Sequence, residues 1–220
     1  IVPLVCAVWL AFLVHGGREG AVARKLQRDY WKKNVETWKG SRSPSLAAVS
    51  LDLDFDPPRG RLRSKGEYTV VNRTDDTLRQ IAVTGGLHWK NVSWTLDGAK
   101  AEPDNRARLY VFTPAAPLLP GQRARIGFAF DGHFPDGISK NGAGAMEYVL
   151  PSGVGVTGFS STAIAPMLGY QHEIGVERDK NQTDPRVYPD DYWQKGPPAA
   201  LPMLAGRGEP RLRVSGPADT

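Results

Sequence analysis

From Leu46 the sequence takes on a period of two: Val49, Leu51, Leu53 and Phe55 alternate with Ser50, Asp52, Asp54 and Asp56. Only a strand sends successive side chains to opposite faces, so this stretch reads as a half-buried β-strand with a wet, acidic side. The same pattern returns at Gln122–Phe130, where Ala124, Ile126, Phe128 and Phe130 alternate with Arg123 and Arg125. Between these two stretches, shorter strands are expected at Leu62–Val70, Leu78–Val83, Val92–Leu96 and Arg106–Phe112. They are separated by turn signals at 57–60, 72–76, Asp97-Gly98 and Leu119-Pro120-Gly121, with a further signal at 134–137. Eighteen Pro and 24 Gly in 220 residues suit short strands and turns better than long helices. The expected fold class is mainly β, an antiparallel sandwich or saddle-shaped domain over 45–170.

The start of the chain is different. Residues 1–14 are apolar throughout and lack an initiator Met, so the chain reads as cut from something longer. Fourteen helical residues rise about 21 Å, short of the ~30 Å hydrocarbon core, and neither a basic n-region nor a cleavage site supports a signal peptide. Residues 1–15 are therefore expected to be the end of a transmembrane helix. A basic juxtamembrane helix follows over 18–39, with Val22, Leu26, Tyr30 or Trp31, Val35 and Trp38 recurring at helical spacing among Arg18, Arg24, Lys25, Arg28, Lys32, Lys33 and Lys39. Gly40 and Pro44 end it, and its aromatic stripe is expected to lie on the next domain. The net charge of +5 is concentrated here. No helix-turn-helix, RNP or zinc-knuckle pattern accompanies it, so a membrane and not nucleic acid is the expected partner.

Three motifs resemble sites and fail on chemistry. HEIGV, 172–176, begins the zinc-protease H-E-x-x-H, but Val176 stands where the second His must ligate. Asp52, Asp54 and Asp56 resemble a calcium loop, yet Pro57 and Arg63 occupy the positions that need Gly and Glu. GVGVTG, 153–158, matches G-x-G-x-x-G through Gly153, Gly155 and Gly158, but Pro151 and Pro166 crowd it and no βαβ unit surrounds it. One cysteine, Cys6, excludes a disulfide framework and a cysteine-rich zinc module. No catalytic or metal residue is expected in this chain, and no cofactor. Residues 171–220 read as an extended linker to a missing next domain, with RLRVSG at 211–216 starting another strand.

The order of these features, with LDLDFDPPRGRLRSKGEYTVVNRTDDTLRQIAV, LLPGQRARIGFAFDG and APMLGYQHEIGVERD, resembles the N-terminal β-saddle domain of the aminopeptidase N-type zinc metallopeptidases. It is most similar to bacterial membrane proteins that fuse a peptidase region to a permease-like part. The resemblance covers about 20–220 and rests on strand patterns and the P-x-x-G-Y-Q stretch, Pro166 to Gln171. It implies that zinc, the H-E-x-x-H motif and the G-A-M-E-N stretch belong to a following catalytic domain, with peptides as substrates. GAMEY, 144–148, is close in letters to the last of these, which makes Glu147 a candidate substrate anchor. The family's T-Q-x-E-like segment matches Thr157 to Ser160, so Ser160 stands where a carboxylate would hold the substrate's amine.

The resemblance implies a noncatalytic N-terminal domain, anchored in a bacterial inner membrane with the β domain extracytoplasmic, that packs on its catalytic domain and walls the cleft. The alternative is an extracytoplasmic β-sandwich that binds a ligand or partner for an ABC-type transporter permease and has no peptidase activity.

Overall fold

The computed structural model describes residues 2–15, 21–86, 88–134, 148–150, 153–155, 162–171 and 209–216. Helices α1 (Val2–His15) and α2 (Ala21–Asn34) are followed by strands β1 (Ser45–Asp56), β2 (Arg61–Val71), β3 (Ile81–Thr84), β4 (Trp89–Leu96), β5 (Ala99–Ala101) and β6 (Asp104–Arg106). Then come β7 (Leu109–Phe112), β8 (Arg123–His133), β9 (Tyr148–Leu150), β10 (Gly153–Gly155), β11 (Met167–Leu168) and β12 (Glu209–Ser215). They form a six-stranded sheet in the order β12-β1-β2-β8-β4-β5, a four-stranded sheet β11-β3-β7-β6, and the pair β10-β9. Every pairing is antiparallel except β12 with β1, so the large sheet is mixed and the chain is mainly β.

The alternation in β1 and β8 does what its period requires. Leu51, Leu53, Phe55, Ile126, Phe128 and Phe130 are buried, while Asp52, Asp54, Arg123 and Arg125 face solvent. The three aspartates share one outward strand face, wet at Asp52 and Asp54 and half-buried at Asp56. The inward face of the large sheet shares one apolar cluster with Ile81 and Val83 of β3 and Tyr110 and Phe112 of β7. Aromatic rings fill it: Trp89 stacks on Phe130 at 3.8 Å, and Trp94 meets Tyr110 at 4.8 Å and Phe112 at 5.4 Å. Gly66 makes room for this, since a Cβ there would lie 2.6 Å from the Phe128 ring and 2.7 Å from the Ser50 carbonyl oxygen.

The central strands of the small sheet, β3 and β7, are buried on both faces. Ala82, Leu109 and Val111 point away from the main cluster and pack on Val35, with Trp31, Trp38 and Tyr170 around them. This is why β3 and β7 are buried at every position instead of alternating. Trp31, Val35 and Trp38 of the basic segment therefore lie on the β body, whereas Leu26 of the same expected stripe is exposed. Among the described residues the segment runs as α2, and a 3-10 turn at Glu36–Trp38 carries the chain to Gly40, whose φ of +80° ends it.

Two expectations change. The strand expected over Arg106–Phe112 is a hairpin, β6 and β7, turned at Ala107 and Arg108, which take φ of +49° and +78° without the usual Gly or Asn. Glu209–Ser215, within the stretch read as a linker, returns to pair with β1 from Ala48 to Asp54. No described helix is long and apolar enough to cross a membrane.

Candidate functional site

Two features of the β body carry chemistry. The first is a charged cleft of about 330 Å³ at the hairpin end of the large sheet, on its outer face, lined among others by Asp54, Asp56, Arg61, Arg63, Asn91, Asp131 and His133. Strand register builds it, because Asp54 opposes Arg63, which opposes Asp131, and Asp56 opposes Arg61, which opposes His133. A bulge in β4 puts Asn91 at φ +51°, from where its Nδ2 donates to Asp131 Oδ2 at 2.8 Å. Arg63 Nε lies 3.7 Å from the other oxygen of Asp131. Asp56 accepts from Arg59 at 2.8 Å through Oδ2, whereas Asp56 Oδ1 and His133 Nδ1 are buried without a hydrogen-bond partner. Both signs of charge along the lining suit a small polar or zwitterionic group.

The second feature is the segment 162–171, which contains the P-x-x-G-Y-Q stretch. Three hydroxyls hold it across both sheets: Ser64 Oγ donates to the Ile164 carbonyl at 2.6 Å, Tyr68 Oη to Pro166 at 2.8 Å, and Thr84 Oγ1 to Gly169 at 2.7 Å. The Gly169 amide in turn donates to the Ala82 carbonyl at 2.8 Å. Burial raises the Tyr68 phenol well above its ordinary range, so it stays a donor. None of the three hydroxyls was singled out from sequence. The available signal was Ser64, a polar residue on the inward parity of Leu62, Tyr68 and Val70, which needs a partner if buried.

Ser160 and Glu147 lie outside the described residues, as do His172, Glu173 and Val176 of HEIGV. Their described neighbours are Thr162, two positions after Ser160, and β9, which begins directly after Glu147. In the glycine motif, Gly153 and Gly155 belong to β10, paired with β9, and Gly158 lies outside the described residues. The zinc that the resemblance places in the parent has no fitting site among the described residues, which bring together no group of three or more His, Cys, Asp or Glu.

No family model matches the sequence, and no curated protein matches it. Its structural neighbours are M1 zinc aminopeptidases. The M1 zinc metallopeptidase from Deinococcus radiodurans matches with 21% identity and a TM-score of 0.37, over 43% of this chain and 21% of that one. The aminopeptidase A of Legionella pneumophila, in complex with aspartic acid, matches with 16% identity and a TM-score of 0.30, over 39% of this chain and 10% of that one. The chain thus spans about a fifth of the first structure and a tenth of the second. At this identity and overlap the likeness assigns neither family nor activity to the chain.

Proposed function

We propose that the chain is the noncatalytic N-terminal part of a membrane-anchored, zinc aminopeptidase-like protein, a saddle-shaped or sandwich β domain that packs on the parent's catalytic domain and walls its substrate cleft. The observation that carries this reading is the hydroxyl-held segment 162–171. A cleft wall has to be stiff, and this segment is tied to both sheets by three buried hydrogen bonds. It is also the stretch on which the sequence resemblance rests, and it begins two positions after Ser160. In this reading the catalytic domain supplies the zinc, and peptides are the substrates. A helix apolar on every side, α1, belongs to the anchor, in a bacterial inner membrane with the β body extracytoplasmic.

The test has two parts. The purified chain, supplied with zinc, is expected to release no chromophore from amino-acid amides, and turnover would overturn the noncatalytic role. In the parent, Ser160→Glu is expected to lower KM for peptides with a free amine and not for N-acetylated ones, since a charged acceptor roughly doubles the hydrogen-bond strength. Unchanged kinetics on both would remove Ser160 from the cleft wall.

A second reading, a binding module without peptidase activity, is favoured by the charged cleft. A small charged ligand that raises the melting temperature of the chain, with the effect abolished in Arg61→Ala, would select it.

A further inference from the structure

Helix α2 has two faces, and only one is used by the β body. Residues three and four apart share a helix face. Trp31, followed by Val35 just past the helix end, turns toward the small sheet, and Val35 is wholly buried there. On the other side Leu26 and Tyr30 form a row that continues to Lys33, flanked by Lys25, Asp29 and Lys32. Leu26 is 65% exposed and Tyr30 45% exposed, so an apolar side chain and an aromatic ring stand in solvent among three cations and one carboxylate. Contact with the β body accounts for none of these outward positions. A short helix carrying Leu and Tyr between lysines fits the boundary between headgroups and acyl chains, where Tyr ring and hydroxyl find matching surroundings and Lys meets phosphate.

We infer that α2 lies on the surface of an anionic phospholipid bilayer, with Leu26 and Tyr30 at headgroup depth and Lys25, Lys32 and Lys33 on the phosphates, and that it thereby fixes the β body's orientation to the membrane. This rests on the reading that α1 anchors the chain, and it adds a lipid class and a second contact. The small sheet rides on the opposite face of the segment through Trp31, Val35 and Trp38. The helix is then a spacer between bilayer and β body, and the outer face of the large sheet is turned away from the lipid.

Spin labelling tests this on the full chain. Cys6→Ser removes the chain's one thiol, Leu26→Cys places a nitroxide on the outward row, and Ser50→Cys serves as a control on the exposed face of β1. The chains are reconstituted into vesicles of phosphatidylcholine alone or mixed with phosphatidylglycerol. With the anionic lipid, the label at position 26 should lose accessibility to a water-soluble nickel complex several-fold and gain it toward oxygen, while the label at 50 stays aqueous. High salt, or Lys25→Glu with Lys32→Glu and Lys33→Glu, should return position 26 to water while the chain still floats with the vesicles. A label at 26 that is aqueous in both vesicles, on a chain that floats with both, overturns the inference and leaves the anchor standing. Immersion that survives the three substitutions overturns it as well. A chain that floats only with phosphatidylglycerol and has position 26 immersed supports the inference and removes the anchor, whereas a chain that floats with neither removes both.

Discussion

The two faces of the large sheet are made by the same strands and are held in opposite ways. Inward, β1 and β8 present Leu51, Leu53, Phe55, Ile126, Phe128 and Phe130 to the small sheet, and the two hydroxyls that β2 adds there, of Ser64 and Tyr68, each have a specific carbonyl partner. Outward, the same strands present rows of Asp, Arg and Lys whose pairs are exposed, such as Arg63 with Asp131. Burial makes the first face rigid and intolerant of change. The second is screened by water, and its charges are free to meet a ligand.

The largest test of this contrast is Phe130→Ala. Phe130 is 2% exposed and stacked on Trp89, so its loss should cost about 3–5 kcal/mol in urea unfolding. A cost near zero would mean the inner face is not the core. Adding volume should hurt as well: Gly66→Ala places a methyl against Phe128, Leu51 and the Ser50 carbonyl, and about 1–3 kcal/mol of destabilisation is expected. Tyr68→Phe keeps the ring and strands the Pro166 carbonyl, which should cost about 1–3 kcal/mol and speed amide exchange across 162–171.

Tyr68 also sets an alkaline limit. Its folded pKa is raised by burial above an unfolded value of about 10, so its contribution is complete below that pH and is lost as pH rises. Stability should fall by up to about 1.4 kcal/mol per pH unit above ~10, and Tyr68→Phe should flatten that limb. Urea midpoints of both proteins between neutral and alkaline pH will show whether it does. The smallest effect belongs to the outer face, where Arg63→Ala should move stability by no more than about 0.5 kcal/mol. A loss comparable to that of Tyr68→Phe would erase the distinction between the faces.

What sequence determined by itself was local. Period-two alternation placed β1 and β8 and assigned their faces, because side-chain direction in a strand depends only on position along it. Asp97-Gly98 and Gly121 marked their turns because both glycines sit at positive φ, at +86° and +78°. Helical spacing put Val22, Leu26, Tyr30 or Trp31, Val35 and Trp38 on one stripe, but only packing decided that Trp31, Val35 and Trp38 meet the small sheet while Leu26 and Tyr30 stay exposed. The tertiary structure alone decided the rest. The turn at Ala107 and Arg108 breaks the usual residue preference, so local propensity could not reveal it. The hydroxyls of Ser64, Tyr68 and Thr84 find carbonyls 85 to 100 residues away, and β12 pairs with β1 across more than 150 residues. Such partners share no pattern in the sequence. They meet only because the packed sheets bring them within hydrogen-bond distance, where a buried donor or an open strand edge must be satisfied.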